Sequence, residues 1–308
     1  MTRAVDRMRG AQDRAAAVKR WLALFARDRV AAGCAGVGAL FLLAALLAPI
    51  LAPQNPYDLV QIELADALLP PFATAQTTET LYPLGTDALG RDVFSMALYG
   101  LRVSLIVATV STLGALLFGT SVGLLAAYAG GWLEALIMRI VDIFLSLPAI
   151  LLALLLIALL GRGLENTILA LLLVQWTQYA RVMHAAALGE INKNYVEAAK
   201  LLGLSQTRIV FHHILPNCLP PVFVILAVQF GYVISVEASL SFLGLGLPVT
   251  QPSLGSLVAL GQEFLLSGAY WVSLIPGLIL LLLIFTMNII GDRLRALEAG
   301  HIGGPSSC

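Results

Sequence analysis

Six apolar runs, bounded by charges or by Pro and Gly, dominate the chain: roughly Gly33 to Ala52, Leu101 to Ala127, Ile140 to Leu160, Thr167 to Val182, Leu219 to Ala238 and Ala269 to Ile290. A helix crossing about 30 Å of hydrocarbon needs about 20 residues at about 1.5 Å each. Lipid offers no partner for a free amide, and these runs are too long and continuous for barrel strands. The pattern therefore predicts an all-α polytopic membrane protein with six transmembrane helices. Pro148 and Pro276-Gly277 predict a break or bend in the third and sixth spans.

Composition agrees. Of 308 residues, 59% are hydrophobic and 12% charged, the latter about half the roughly 25% usual in soluble domains. That excludes a water-soluble fold, a disordered chain and a basic nucleic-acid binder. Cys34, Cys218 and Cys308 form no C-x-x-C pair, so neither a disulfide framework nor a thiolate metal site is indicated. Cys308 is the last residue, not fourth from the end, which argues against prenylation.

The zero net charge hides an asymmetry. Eight cations lie in residues 1–32, and Arg139, Arg181, Lys193, Lys200, Arg208, Arg293 and Arg295 fall on the same side if the N-terminus is cytoplasmic, leaving only Arg91, Arg102 and Arg162 outside. The positive-inside rule then predicts both termini in the cytoplasm. The expected organisation is a basic tail (1–32), a first transmembrane helix (33–52), an acidic extracytoplasmic loop (53–100), a five-helix core (101–295) with a cytoplasmic loop at 194–217, and a tail (296–308). The first run follows a 32-residue charged tail and is bounded by Pro53, so it reads as a retained span and not a cleaved signal. Trp21, Leu22, Leu24 and Phe25, set among Lys19, Arg20, Arg27 and Arg29, fit either a short helix on an anionic membrane surface or a plain positive-inside anchor.

No G-x-x-x-x-G-K-[ST] and no H-E-x-x-H occurs, so the chain has neither a P-loop nor that zinc-hydrolase motif. The segment Asn194 to Asn217 predicts a short helix from about Tyr195 to Leu202, a break at Gly203, and a second amphipathic turn stopped by Pro216. Leu201, Leu202, Ile209 and Phe211 make it too apolar to sit idle in water, so it should dock on its own membrane domain or on a separate protein.

Glu197-Ala198-Ala199, three residues, Gly203, nine residues, then His213-Ile214-Leu215-Pro216 resembles the EAA loop of binding-protein-dependent ABC importer permeases. Three further stretches resemble the C-type (DppC/OppC-like) subunits of the dipeptide/oligopeptide/nickel branch: Leu84 to Ser95 with Tyr99 to Leu105, Glu237 to Gly246, and Gly291 to Arg295. The resemblance implies a type I (MetI-like) permease core behind one N-terminal helix, in a bacterial cytoplasmic membrane. Its partners would be a homologous B-type permease, two cytoplasmic P-loop ATPases and an external solute-binding protein. The ATPases would hold ATP and Mg, while this chain would bind no cofactor or metal, catalyse nothing and contact no nucleic acid. Short peptides are the implied cargo; nickel chelates, glutathione or another small solute are the alternatives.

By the same resemblance, Glu197, Ala198, Ala199, Gly203, Arg208 and Pro216 dock the ATPase, the two Ala permitting close approach. Asp87, Arg91 and Asp92 shape the outer gate and the binding-protein platform, with Thr86 or Asp87 capping a helix and Asp87–Arg91 pairing within it. Glu237, beside the turn holding Gly244 and Gly246, is the gating candidate. Gln175, Gln229 and Asn288 could line a pathway or clamp helices, and Asp142 is expected to pair with Arg139 one turn away. An ion-coupled secondary transporter is the rival, but it calls for inverted repeats and a buried carboxylate relay, whereas the acids here cluster at span ends.

Overall fold

A computed structural model describes residues 28–58, 62–75, 80–248 and 250–302, with side chains to residue 296. The proposed amphipathic segment at Trp21 to Phe25 lies outside these residues.

Among the described residues the chain is helical apart from a two-residue pair of strands, β1 (Ala73–Thr74) and β2 (Leu81–Tyr82), which run antiparallel. The long helices are α1 (Arg29–Leu46), α2 (Val93–Ala129), α3 (Gly131–Ser146), α4 (Ala149–Leu160) and α5 (Leu164–Ile191). They are followed by α6 (Asn194–Leu201), α7 (Leu215–Phe242), the short α8 (Leu254–Gly261) and α9 (Trp271–Ile302). Among the described residues four helical stretches are long and apolar enough to cross a membrane, or five if the bent pair α3 and α4 counts as one. The remaining predicted span, Thr167 to Val182, lies in α5. At about 1.5 Å per residue its 28 residues reach about 42 Å, but Gln175, Gln178, Arg181 and His184 dilute its apolar character.

Helix starts follow the caps. Asp28 accepts from the Val30 and Ala31 amides, so α1 begins four residues before the expected span. Asp92 caps α2 through the Phe94 and Ser95 amides, so residues 93–100 are helix, not loop. The predicted third span is not continuous: α3 and α4 meet at 96° across Leu147 and Pro148. Proline lacks the amide that would carry α3 onward, and it disfavours helical geometry in the residue before it. Pro276, by contrast, sits inside an uninterrupted α9.

Pro216 does not stop a helix either. Helical turns run from Gln206 through a π-turn at Val210–Ile214 into α7. In the π-turn the Leu215 amide reaches back to the Val210 carbonyl, five residues away. That wider turn gives the proline ring the space an α-turn would deny it, so the helix passes Pro216 with one amide fewer and does not end there.

The centre of the bundle is the α2–α5 crossing. Gly119 and Gly123 of α2 lie four apart, and a β-carbon on either would collide with the Trp176 or Ala180 carbonyl of α5. This is small-xxx-small packing, in which missing side chains let two backbones touch. Around it Tyr179, Met183, Ala187, Ile209, Ile214 and Cys218 are buried, which joins the base of the bundle to the 194–217 loop. On the lipid-facing flank, α1 lies along α9 with Gly38 against Met287 and Ile290, and Asp28 pairs with Arg293 at 3.0 Å. The start of α1 and the end of α9 therefore share one face of the bundle.

The crossing sets a prediction. Gly123→Ala should cost about 1–3 kcal/mol of stability, whereas Gly36→Ala, whose β-carbon meets nothing within 4 Å, should change it by less than about 0.5 kcal/mol. Thermal unfolding in detergent, followed by a thiol-reactive dye on buried Cys218 with Cys34 and Cys308 replaced by Ser, checks the difference. Equal stabilities would contradict it.

Candidate functional site

Three regions carry the residues singled out from sequence. The first is the 194–217 loop, on the face that holds Arg293. Helix α6 ends in a Schellman motif: the Leu204 amide donates to the Ala199 carbonyl at 3.2 Å and the Gly203 amide to the Lys200 carbonyl at 3.0 Å. Gly203 sits at φ +69° with open space around it, so backbone handedness and not crowding requires glycine there. Val196, Ala199, Ile209 and Ile214 turn inward and anchor the hairpin. The expectation that Ala199 permits close approach of a partner is therefore corrected: it faces its own domain, while Glu197 and Ala198 point outward. Leu201 is 84% exposed, Leu202 80% and Phe211 60%, with Arg208 exposed beside them and Pro216 half-buried at the base.

Tyr195 braces this hairpin. Its hydroxyl donates to Glu190, which also pairs with Lys193, and Asn217 donates to the Tyr195 oxygen at 3.2 Å and to the His213 carbonyl at 2.8 Å. Burial and the bond to Glu190 push the Tyr195 phenol above its usual value.

The second region caps the opposite face, where α2 and α9 begin. Here the expected capping changes hands: Asp92, not Thr86 or Asp87, caps the helix. Asp87 and Arg91 pair at 2.7 Å in a turn ahead of the helix and not inside it. Asp87 also accepts from the Leu89 and Arg91 amides at 2.9 Å, and both members are over 90% buried. Thr86 is the hub. Its hydroxyl donates to the Asp66 carbonyl and accepts from the Leu69 amide, and its carbonyl receives the Trp271 indole at 3.1 Å. Gly85, at φ +79°, has Leu69 and Trp271 where a β-carbon would go. Gln54 completes the knot, its side-chain oxygen accepting from the Asp92 backbone amide at 2.7 Å and its own backbone N–H donating to the Ser95 hydroxyl oxygen at 3.1 Å. Burial raises the Asp92 carboxyl, opposed by the Ser95 and Phe94 bonds. Burial and the neighbouring Asp66 push the Tyr82 phenol up to about 12. All these donors and acceptors are used internally, as a structural cap requires.

Beneath the cap, Glu237 is fully buried. Its carboxylate accepts from Ser104 of α2 at 2.9 Å and from Ser241 one turn on at 2.7 Å, with Ser253, the cap residue of α8, as a third hydroxyl beside it. One side chain thus ties α2, α7 and α8. A second Schellman motif closes α7, with Gly244 at φ +72°, and Gly246 packs against Ser241 while its carbonyl accepts from the Gly163 amide at 3.3 Å.

The third region lies in the membrane-spanning body. Gln175 and Gln229 line one cavity of about 300 Å³ at the crook of the broken α3–α4 pair. Asn288 is not with them; its side chain packs α9 on Gly231 of α7. Sequence reasoning missed Gln178 and Tyr232, which line the same cavity. The spacing of Gln178 three residues after Gln175 was the available signal. Asp142 pairs across helices with Arg181 of α5, not with Arg139, and Glu134 meets His184 at 2.7 Å in parallel. Both contacts brace α3 against α5, because side chains facing a neighbouring helix can pair across it instead of along their own.

A multi-pass chain with an internally bonded cap on one face and an exposed apolar hairpin on the other has the form of a membrane protein with one face open for docking. This chain belongs to the family described as binding-protein-dependent transport system inner membrane component, which matches residues 119–297. It is 38% identical over 275 residues to the Di/tripeptide transport system permease protein DppC of Pseudomonas aeruginosa, covering 88% of each chain. It is 40% identical over 254 residues to the dipeptide transport system permease protein DppC of Escherichia coli K12, covering 82% of this chain and 83% of that one. Its fold resembles an inward-facing MetNI methionine ABC transporter, with TM-score 0.54, 24% identity and coverage of 65% of this chain and 95% of that one. The MetI-like expectation for the core therefore holds, and the chain is a multi-pass inner-membrane permease subunit of a binding-protein-dependent ABC importer.

The Glu237 clasp sets the next prediction. Glu237→Ala leaves buried Ser104 and Ser241 hydroxyls without their acceptor and should cost about 1–3 kcal/mol, whereas Glu237→Gln, which keeps an acceptor oxygen, should cost less. The thiol-dye unfolding measurement distinguishes them, and an Ala variant as stable as wild type would remove the clasp.

Proposed function

We propose that this chain is the C-type membrane subunit of a peptide importer, pairing with a homologous B-type permease above two P-loop ATPases and receiving short peptides from an external solute-binding protein. ATP and Mg are held by the ATPases, and this chain performs no covalent chemistry. The face carrying the 194–217 hairpin and both termini is cytoplasmic, in keeping with the fifteen cations assigned to that side. The dipeptide and di/tripeptide permeases among its relatives support the cargo.

The observation that carries this reading is the hairpin. It is anchored by four inward apolar side chains, yet it presents Leu201, Leu202 and Phe211 to the outside. A rigid mount with an uncovered apolar tip is what a docking element needs. Its second half runs without a break into α7, so force applied near Arg208 travels along the 37 residues of Gln206–Phe242, about 55 Å. That path passes Gln229 and reaches the Glu237 clasp. ATP-driven closure of the ATPases would move the hairpin, tilt α7 and open the pathway on the far side.

Gly203→Pro tests the lever, since proline cannot adopt φ +69°. The variant should insert and co-purify with the other permease, while losing the stimulation of ATP hydrolysis by peptide and binding protein in reconstituted complex. Normal stimulation would sink the assignment. So would wild-type protein that, tagged and purified from its native membrane, never brings a P-loop ATPase with it.

A further inference from the structure

The cavity between α3, α5 and α7 is walled by Phe144, Leu145, Leu147, Ala149, Val174 and Tyr232, with Gln175, Gln178 and Gln229 as its amides. Among the described residues no Asp, Glu, Lys or Arg lines it. Gln175 is only 2% exposed, and neither its amide nitrogen nor its oxygen has a hydrogen-bond partner. A buried amide left unpaired costs about 1–3 kcal/mol, and the α2–α5 crossing beside it, at Trp176 and Ala180, leaves little freedom for α5 to turn it away. The fold thus keeps an unpaired amide packed directly behind the wall of a space of about 300 Å³, the lower end of the range for small-molecule sites, while the half-buried Gln178 and Gln229 line that space beside it.

We infer that Gln175, Gln178 and Gln229, with the apolar wall around them, form a charge-free subsite that binds the backbone amides of a peptide in transit. This rests on the importer reading and adds the chemistry of recognition inside the membrane. A glutamine amide offers two donors and two acceptor lone pairs, matching the one donor and one acceptor of each peptide unit whatever its side chain. The absence of charge follows the same logic. A fixed carboxylate or ammonium would hold the peptide's own termini too tightly and would select by side-chain charge. Leu147, 49% exposed at the break between α3 and α4, forms the lip, and Gln229 sits on the helix that the docking hairpin drives. Movement of α7 would therefore change the cavity as the cycle proceeds.

The test uses the complete transporter, both permeases with their ATPases, in lipid nanodiscs without the binding protein, and measures equilibrium binding of radiolabelled tri-alanine. Gln175→Leu should weaken binding about tenfold, equivalent to about 1.4 kcal/mol. Gln175→Glu should shift preference toward tri-lysine over tri-alanine by about tenfold, a change that a purely structural role would not produce. Both variants are scored on complexes that co-elute with their ATPases. Unchanged affinity and unchanged charge preference in the two variants, or no tri-alanine binding by wild type, overturns the subsite and leaves a cavity that holds water only. Failure of the importer reading is separate: wild-type proteoliposomes supplied with binding protein and ATP would then take up no tri-alanine at all.

Discussion

The α2–α5 crossing is the constraint on which the rest of the molecule depends. Two long helices meet there at backbone distance because Gly119 and Gly123 leave no side chain between them. That contact fixes α5, and α5 in turn places Gln175 beside the cavity, Arg181 and His184 against α3, and Met183 and Ala187 against the base of the 194–217 hairpin. Apolar side chains supply no net drive for association inside lipid, so close packing and a few cross-helix polar contacts must hold such a bundle together. The Asp142–Arg181, Glu134–His184 and Glu237–Ser104 contacts are of that kind.

The two ends of the bundle differ in how they treat their polar groups. At the cap over α2 and α9, Thr86, Asp87, Arg91, Asp92 and Gln54 are buried and bonded to one another or to nearby backbone. Such a knot holds α2 and α9 in fixed relation and leaves no side chain of the cluster free for a cargo. At the hairpin the backbone is equally well determined, by two inward-facing helices and a Schellman turn, but the apolar tip is uncovered. Rigidity at both ends with α7 continuous between them is the mechanical requirement for a lever.

Much of this was legible in the chain. The apolar runs located the spans because lipid leaves helices few alternatives, and the EAA spacing located the hairpin because Gly203 marks a left-handed turn that few other residues tolerate. What was misread depended on partners distant in sequence. Asp142 lies one turn from Arg139, yet its pairing is decided by how α3 sits on α5. Ala199 is as small as Ala198, and only the helix phase against Ile209 and Ile214 turns it inward. Pro216 looked like a stop because the π-turn that accommodates it leaves no mark in composition. Thr86 and Asp87 looked like caps because capping chemistry is shared among Thr, Asp and Ser, and the tertiary knot chose Asp92. The same expectation of a break or bend meets two outcomes: at Pro148 the helices part at 96°, whereas at Pro276 α9 runs on uninterrupted.

ATP-dependent accumulation of radiolabelled tri-alanine in proteoliposomes, with this chain, its partner permease, the two ATPases and the binding protein all present, tests the central claim most directly. The account predicts uptake that requires ATP on the side bearing the hairpin and that ceases when this chain is omitted. Uptake by this chain alone, driven by a proton or sodium gradient without ATPases, would contradict it.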